Sequence, residues 1–191
     1  MMTRLSSFAA ATLTFLAATN AVQAQTWRSG YTDIDFERCT VVSSYELGAE
    51  LACPGYNGFP LMIADGDLRM FVSYGFGAPD EMAAGQTFPQ FNQIGDKIEW
   101  LLEASSEWGE RPVATIVRYY LEPIEPGDPQ GQVLVVTKIE EGNTCWVAQI
   151  DARANANANQ MARDAARRLV RGWDCQTMER ETVGVWNAFE H

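Results

Sequence analysis

The sequence predicts a mainly β protein of the α+β class: about eight antiparallel strands run as a meander and form a barrel or a sandwich, with one C-terminal helix packed on it. From Glu37 to Asp151, β-branched and aromatic residues alternate with polar ones, and turn residues interrupt them. Residues 154–171 lack Gly and Pro and carry apolar residues at helical spacing. The composition, 47% hydrophobic and 20% charged, is that of a globular chain.

The first 24 residues have the three parts of a secretory signal peptide. A basic start at Arg4 precedes an apolar stretch from Leu5 to Ala18, and Val22-Gln23-Ala24 forms a small-residue exit. This stretch is shorter than the roughly 20 residues that span a bilayer. We therefore expect cleavage after Ala24, no transmembrane segment, and an exported protein, periplasmic or secreted, with residues 25–191 forming one domain.

The alternating region divides into eight strands. Because side chains alternate along a strand, the apolar set of each should face the core. In the fourth strand this set is Leu68, Met70, Val72 and Tyr74; in the sixth it is Val113, Val117, Tyr119 and Leu121. The strands are expected at 37–43, 49–54, 59–64, 67–74, 97–104, 112–122, 132–140 and 144–150.

A connection of about twenty residues, Phe76–Gly95, separates the fourth and fifth strands. Connections this long in a compact domain are usually functional or mobile. Its aromatic residues Phe76, Phe88 and Phe91 are a candidate contact loop. They are equally candidates for a plug at one end of the core, which the tendency of loop aromatics to be buried favours.

The helix carries a row of arginines. Arg163, Arg167 and Arg171 follow at four-residue steps, and Asp164 and Arg168 have the spacing of a favourable ion pair. The row is a candidate anion-binding or partner-binding face, although a solvated face is the commoner meaning of such a pattern. Gly172 is placed to end the helix.

Four cysteines follow the predicted cleavage site, in what should be an oxidising compartment. They allow three pairings, of which we expect Cys39–Cys53 and Cys145–Cys175 because each is local. The first fits a hairpin in which Val41 faces Leu51 and residue 43 faces residue 49. The spacing does not suit a metal site, so neither a metal nor a cofactor is expected.

The chain is acidic, with a formal net charge of −11. Residues 25–150 hold 19 acidic and 7 basic residues. This field repels nucleic acid and would speed encounter with a basic protein. The partner is therefore an unknown protein or small ligand, with a basic protein favoured by the charge. The simpler interpretation is that the acidic surface only maintains solubility.

The only histidine is His191, the last residue of the sequence. Catalytic arrangements that need an imidazole on an ordered element are therefore not expected, and no catalytic residue is nominated. Carboxylate chemistry remains open. The most conspicuous acids, in Asp65-Gly66-Asp67, lie between two apolar runs, where Asp-Gly first predicts a hairpin turn.

Several segments resemble a group of small exported bacterial proteins of unassigned function; the resemblance implies no activity. They are Ala52-Cys53-Pro54-Gly55-Tyr56, Gly66-Asp67-Leu68-Arg69, Phe71-Val72-Ser73-Tyr74-Gly75, and Cys145-Trp146-Val147-Ala148 before the helix.

A weaker resemblance, carried by Cys53, Gly55 and Leu61 to Ile63, is to periplasmic C-type lysozyme inhibitors, which have eight strands. This chain is longer and adds a helix. Its one candidate for the inhibitory Ser-Gly loop, Ser29-Gly30-Tyr31 near the start, is in the wrong order.

Three functions follow as hypotheses. The first is a non-catalytic binding or structural protein of the cell envelope. The second is a periplasmic inhibitor of a basic hydrolase such as lysozyme. The third is a carboxylate-dependent hydrolase, for which no nucleophile, base and orienting group can be named together.

Overall fold

The computed structural model describes residues 27–105, 107 and 109–188; the predicted signal peptide and His191 lie outside them. Within this part the chain forms ten strands and one α-helix. The strands are β1 (Arg28–Asp33), β2 (Thr40–Tyr45), β3 (Gly48–Pro54), β4 (Pro60–Gly66), β5 (Arg69–Tyr74), β6 (Asn92–Ser105), β7 (Gly109–Leu121), β8 (Gly131–Lys138), β9 (Cys145–Asp151) and β10 (Glu181–Thr182), and the helix is α1 (Ala158–Leu169).

The strands form two open sheets. One has the order β1-β6-β7-β8-β9-β10 and the other β2-β3-β4-β5. All neighbours are antiparallel except the short β10, which runs parallel to β9. The described residues thus form a sandwich and not a closed barrel, which confirms the mainly β class and decides between the two predicted forms.

The six-stranded sheet is the middle of three layers. Its one face packs on α1 through residues such as Leu101, Ile116 and Ile150. Its other face packs on the four-stranded sheet through Trp100 and Val135, among others. Because both faces are covered, every residue of β9 is buried. The predicted inward residues of the 112–122 strand are all buried, but on two faces: Val113 packs on the helix side, whereas Val117, Tyr119 and Leu121 pack between the sheets. The shift in register between β6 and β7 at Leu101 accounts for this difference.

The eight predicted strands correspond to β2–β9, and β1 and β10 were not predicted. The first predicted strand began too early, because Phe36–Arg38 form a 3₁₀ turn. Conversely, β6 begins at Asn92, inside the expected connection, and its pairing with β7 is irregular between Ile94 and Ile98.

The helix is shorter than the predicted 154–171. At its start, the Asp151 carboxylate accepts hydrogen bonds from the amides of Arg153 and Ala154, which holds the entry as a turn. Gly172 has a φ of +78° and follows the helix, as expected of a terminating glycine.

Two hairpins shape the outer sheet. Val41 pairs with Leu51 as predicted, but a bulge then shifts the register, so that residue 43 faces Glu50 and not residue 49. In the second hairpin the two turn residues are Asp67 and Leu68, both at positive φ. Leu68 is exposed, so its predicted inward orientation was wrong.

Two disulfides join Cys39 to Cys53 and Cys145 to Cys175, the pairing expected from the sequence. The second ties the segment after α1 to the start of β9. In the described part of the chain, no helix has the length and apolar character of a membrane span.

Candidate functional site

The three phenylalanines of the candidate contact loop have different environments. Phe88 is fully buried, with its ring centroid 5.0 Å from that of Trp146. Phe76 and Phe91 are exposed, and the Arg69 guanidinium lies 5.1 Å from the centre of the Phe91 ring. A buried Phe88 cannot share an exposed contact surface with the other two.

The arginine row fastens α1 to the central sheet. Arg163 donates to both carboxylate oxygens of Glu99 on β6, at 2.7 and 3.0 Å, and this contact raises the pKa of the guanidinium. Arg171 donates to Glu103, which lies further along β6 than Glu99. The middle residue, Arg167, pairs with Asp164 on the exposed surface.

Arg168 does not pair with Asp164, as its spacing had predicted. Its guanidinium instead lies 2.7 Å from a carboxylate oxygen of Glu181 in β10. Arg168 therefore pairs with Glu181 on β10 and not with Asp164 on its own helix. The ion pairs of Arg163, Arg168 and Arg171 all serve to dock the helix.

The buried carboxylates are occupied by structural partners. Glu99 and Glu103 bind arginines, as above. Glu81 accepts hydrogen bonds from the amides of Gly142 (2.7 Å) and Thr144 (2.9 Å). Asp151 accepts from three backbone amides, those that start the helix and that of Asn187. This arrangement gives no support to the carboxylate-dependent hydrolase, because each group is already used to hold elements together.

A cleft of about 420 Å³ lies beside the end of α1. Its lining includes Glu103, Arg111, Lys138, Glu140 and Arg171. Both arginines bind Glu103, and the Lys138 ammonium lies 2.5 Å from Glu140, lowering the pKa of that carboxyl. The charges of this cleft are thus satisfied among themselves, as expected of a structural network.

The outer edge of the four-stranded sheet carries an exposed apolar surface, which we call the edge patch: Val41, Val42, Tyr45, Leu47 and Leu68, each between 51 and 67% exposed. β2 is the outermost strand, and all six of its residues are exposed. The two hairpin tips are joined, because the Asp67 amide donates to the Leu47 carbonyl oxygen at 3.2 Å.

Acidic residues surround the edge patch. Glu46, Glu50, Asp65 and Asp67 lie on the same two hairpins. Arg69, at the start of β5, is paired with Asp67. This surface could not be predicted from the sequence, because β2 does not alternate. Its Thr-Val-Val-Ser-Ser-Tyr sequence predicts a strand but does not indicate that both faces of the strand are exposed.

The segment Ser29-Gly30-Tyr31 lies inside β1, paired with β6 from Leu101 to Glu99. A Cβ atom at Gly30 would lie 2.5 Å from the ring of Tyr56. Glycine is therefore required here for the close approach of that tyrosine.

Comparison of the chain with protein-family models, curated proteins and solved structures finds no match in any of the three.

Proposed function

We propose that the protein is an exported, non-catalytic binding protein that docks a basic protein partner on the edge patch. The observation that carries this proposal is β2, an outermost strand whose six residues are all exposed and uncharged. Proteins rarely leave such an edge open, because unpaired backbone groups and apolar side chains invite pairing with another chain.

The edge lacks most of the usual protections. Lysine, proline and inward-pointing charge are common protections of edge strands, and β2 has none of them. One protection is present, a bulge at Val42, but Ser43–Tyr45 pair regularly with β3 beyond it. A partner segment could therefore add to this edge through backbone hydrogen bonds, with Val41, Val42 and Tyr45 supplying apolar contact.

Charge selects the kind of partner. The four carboxylates around the edge patch would repel those of a second copy, whereas Lys and Arg of a basic partner would pair with them. The net charge of −11 acts in the same direction at longer range. A basic hydrolase such as lysozyme, the target in the inhibitor hypothesis, is one member of this class.

The absence of turnover is part of the proposal. The buried carboxylates hold structural bonds, and the described residues contain no group of three His, Cys, Asp or Glu side chains arranged as a metal site. Binding at an exposed sheet edge needs neither.

Site-specific photocrosslinking tests the proposal. A benzoylphenylalanine replaces Tyr45 in the edge patch or, as the matched control, Ile124, an equally exposed apolar residue outside it. In extracts of the source cell, we expect one discrete adduct with a basic protein from position 45 and none from position 124. Equal yields from both positions, or an adduct with a second copy, would contradict the proposal.

Lysozyme activity measured with stoichiometric protein forms a second arm. Inhibition that is lost when Leu47 is replaced by Asp would identify the partner class as a basic hydrolase. Full lysozyme activity in the presence of the protein would exclude lysozyme as the partner, and the partner would then be identified from the crosslinked adduct.

A further inference from the structure

Arg180 is a half-buried cation without an anionic partner. Its guanidinium carbon lies 5.2 Å from the centre of the Trp146 ring and 5.8 Å from that of Phe88. Among the described residues, nine other Lys and Arg side chains form ion pairs with carboxylates. Within the same residues, Arg180 has no hydrogen bond and no ion pair, in a chain where acids outnumber bases 25 to 14.

The aromatic rings offset only part of the cost of burying this charge. Loss of hydration lowers the pKa of the guanidinium, the direction expected when no carboxylate compensates. A cation–π contact stabilises a charge less than a charge-assisted hydrogen bond does. An anion placed beside Arg180 would therefore be bound by a group that is oriented and already partly desolvated.

The guanidinium lines a cleft of about 370 Å³ bounded by the Cys145–Cys175 disulfide. The cleft is within the size range of small-ligand sites. Met82 and Met178, both partly exposed, are among its lining residues and offer adaptable apolar surface.

Two glutamines supply further polar groups. Gln86 accepts a hydrogen bond from the Trp146 amide through its Oε1, which leaves its side-chain NH₂ group as a donor. Gln149 is 93% buried and donates to Thr182, while its Oε1 has no hydrogen-bond partner in the described structure. This buried oxygen accepts and does not donate, so the Gln86 amide, and not Gln149, supplements Arg180 as a donor to an anion.

We propose that this cleft binds a monoanionic carboxylate that carries an apolar substituent. The carboxylate lies on Arg180, within reach of the Gln86 amide, and the substituent contacts Met82 and Met178. A planar carboxylate matches the two-pronged donor geometry of a guanidinium. A phosphate dianion is disfavoured, because a single cation faces it and the Glu179 carboxylate also lines the cleft.

The same chemistry has two sources, a free organic acid or the carboxyl terminus of a peptide. The site is separate from the edge patch and does not depend on the proposed partner. Failure of one proposal would leave the other intact.

Calorimetric titration of the mature protein tests the site with matched probes. These are hexanoate against hexanamide, and the tripeptide Gly-Gly-Leu with a free against an amidated carboxyl terminus, with inorganic phosphate as a further anion. We expect at least one of the two carboxylates to bind, at least tenfold more tightly than its neutral amide and than phosphate. Hexanoate binding alone identifies a free acid, and binding of the free peptide alone identifies a chain terminus.

Variants assign the binding to the cleft. Arg180→Gln should weaken it at least tenfold, whereas Arg38→Gln removes an exposed arginine elsewhere and should leave it unchanged. Because Arg180 also covers Trp146, near-ultraviolet circular dichroism checks the fold. Met82→Glu supplies a competing carboxylate without removing the arginine and should also weaken binding. The proposal is overturned if neither carboxylate binds at millimolar concentration, if amide and acid bind equally, or if folded Arg180→Gln binds as the parent does.

Discussion

Leu68 occupies a backbone position that leucine disfavours. It is the second residue of the Asp67-Leu68 turn, where both residues have positive φ, and its own φ is +60°. Such turns prefer Asn or Gly, and a left-handed conformation costs most other residues roughly 1–2 kcal/mol, because Cβ approaches the following carbonyl oxygen. The leucine is 66% exposed, so burial does not repay this strain. An exposed, strained apolar residue in the edge patch is consistent with a role in contact rather than in folding.

Replacing Leu68 by Asn should therefore separate stability from binding. We expect the free energy of unfolding to rise by about 1 kcal/mol, because Asn tolerates positive φ, while affinity for the crosslinked partner falls. Urea unfolding and a binding titration measure the two effects. Leu47→Asn is the control: Leu47 is equally exposed at the neighbouring tip but does not have positive φ, so its replacement should weaken binding without stabilising the fold.

The buried hydroxyl of Tyr119 should make the free energy of unfolding depend on pH in alkaline solution. Burial, with a further contribution from Tyr74, raises the pKa of its hydroxyl well above its ordinary value, about 10. Above that pH the unfolded chain loses the proton and the folded chain keeps it, so stability that is complete below pH 10 declines as the pH rises. The decline is about 1.4 kcal/mol per pH unit for each such tyrosine.

Tyr119→Phe should remove its share of this alkaline slope. At neutral pH the variant should be at least as stable as the parent, because the Tyr119 hydroxyl is buried without a hydrogen-bond partner among the described residues. Urea midpoints between pH 8 and pH 11 measure the slope. Tyr120→Phe, the adjacent and partly exposed tyrosine, serves as the control, and an equal slope in both variants would refute the assignment.

At the scale of elements, α1 is held by apolar packing and by carboxylates on β6. Ala162 and Ala166 are fully buried against the central sheet, and their small side chains let the helix lie close to it. Arg163 and Arg171 then pair with Glu99 and Glu103 on that sheet. The ion pairs fix the position of the helix, because a buried face made mostly of small alanine side chains does not specify one position on the sheet.

Glu99→Gln should therefore destabilise the protein far more than loss of an exposed helix carboxylate. Glu99 is buried and accepts hydrogen bonds from Arg163 and Ser29. Its neutralisation leaves the partly buried guanidinium of Arg163 without an anionic partner. We expect a loss of about 1–2 kcal/mol, against less than about 0.5 kcal/mol for Asp164→Asn, whose ion pair is exposed. Thermal and urea unfolding check the difference, and equal effects would show that the contact does not dock the helix.

The parts of the fold that the sequence predicted are those with a local signal. Alternation located β2–β9, and the Ala-rich periodicity located α1, because each signal lies within the element itself. β10 is two residues long and exists through pairing with β9 and the Arg168–Glu181 contact, neither of which has a local pattern. β1 likewise depends on β6, nearly seventy residues away.

The candidate sites were harder to predict for the same reason. Spacing identified the arginine row, but its partners on β6 are distant in sequence, so its docking role was not foreseen. Arg180 lies in a segment without periodicity, and only the folded chain shows that it covers Trp146 and lacks a carboxylate. A charge that is unpaired in space leaves no mark in a sequence rich in acids.

At the scale of the whole molecule, net charge and the edge patch should control different rate constants. The acidic field, −11 over the chain, acts before contact and accelerates encounter with a basic partner. The apolar side chains act after contact and set how long the complex lasts. Salt screens the first effect, since the Debye length falls from about 10 Å at 0.1 M to about 3 Å at 1 M, and leaves apolar burial largely intact.

Surface-plasmon resonance with the partner identified by crosslinking should separate the effects on association and dissociation. Between about 0.05 and 0.5 M NaCl we expect the association rate constant to fall roughly tenfold or more, with a smaller change in dissociation. Leu47→Asn should do the reverse, raising the dissociation rate constant at every salt concentration while leaving association nearly unchanged, because it alters no charge. If association proved insensitive to salt, the acidic surface would have no steering role, and its charge would then serve only to keep the protein in solution.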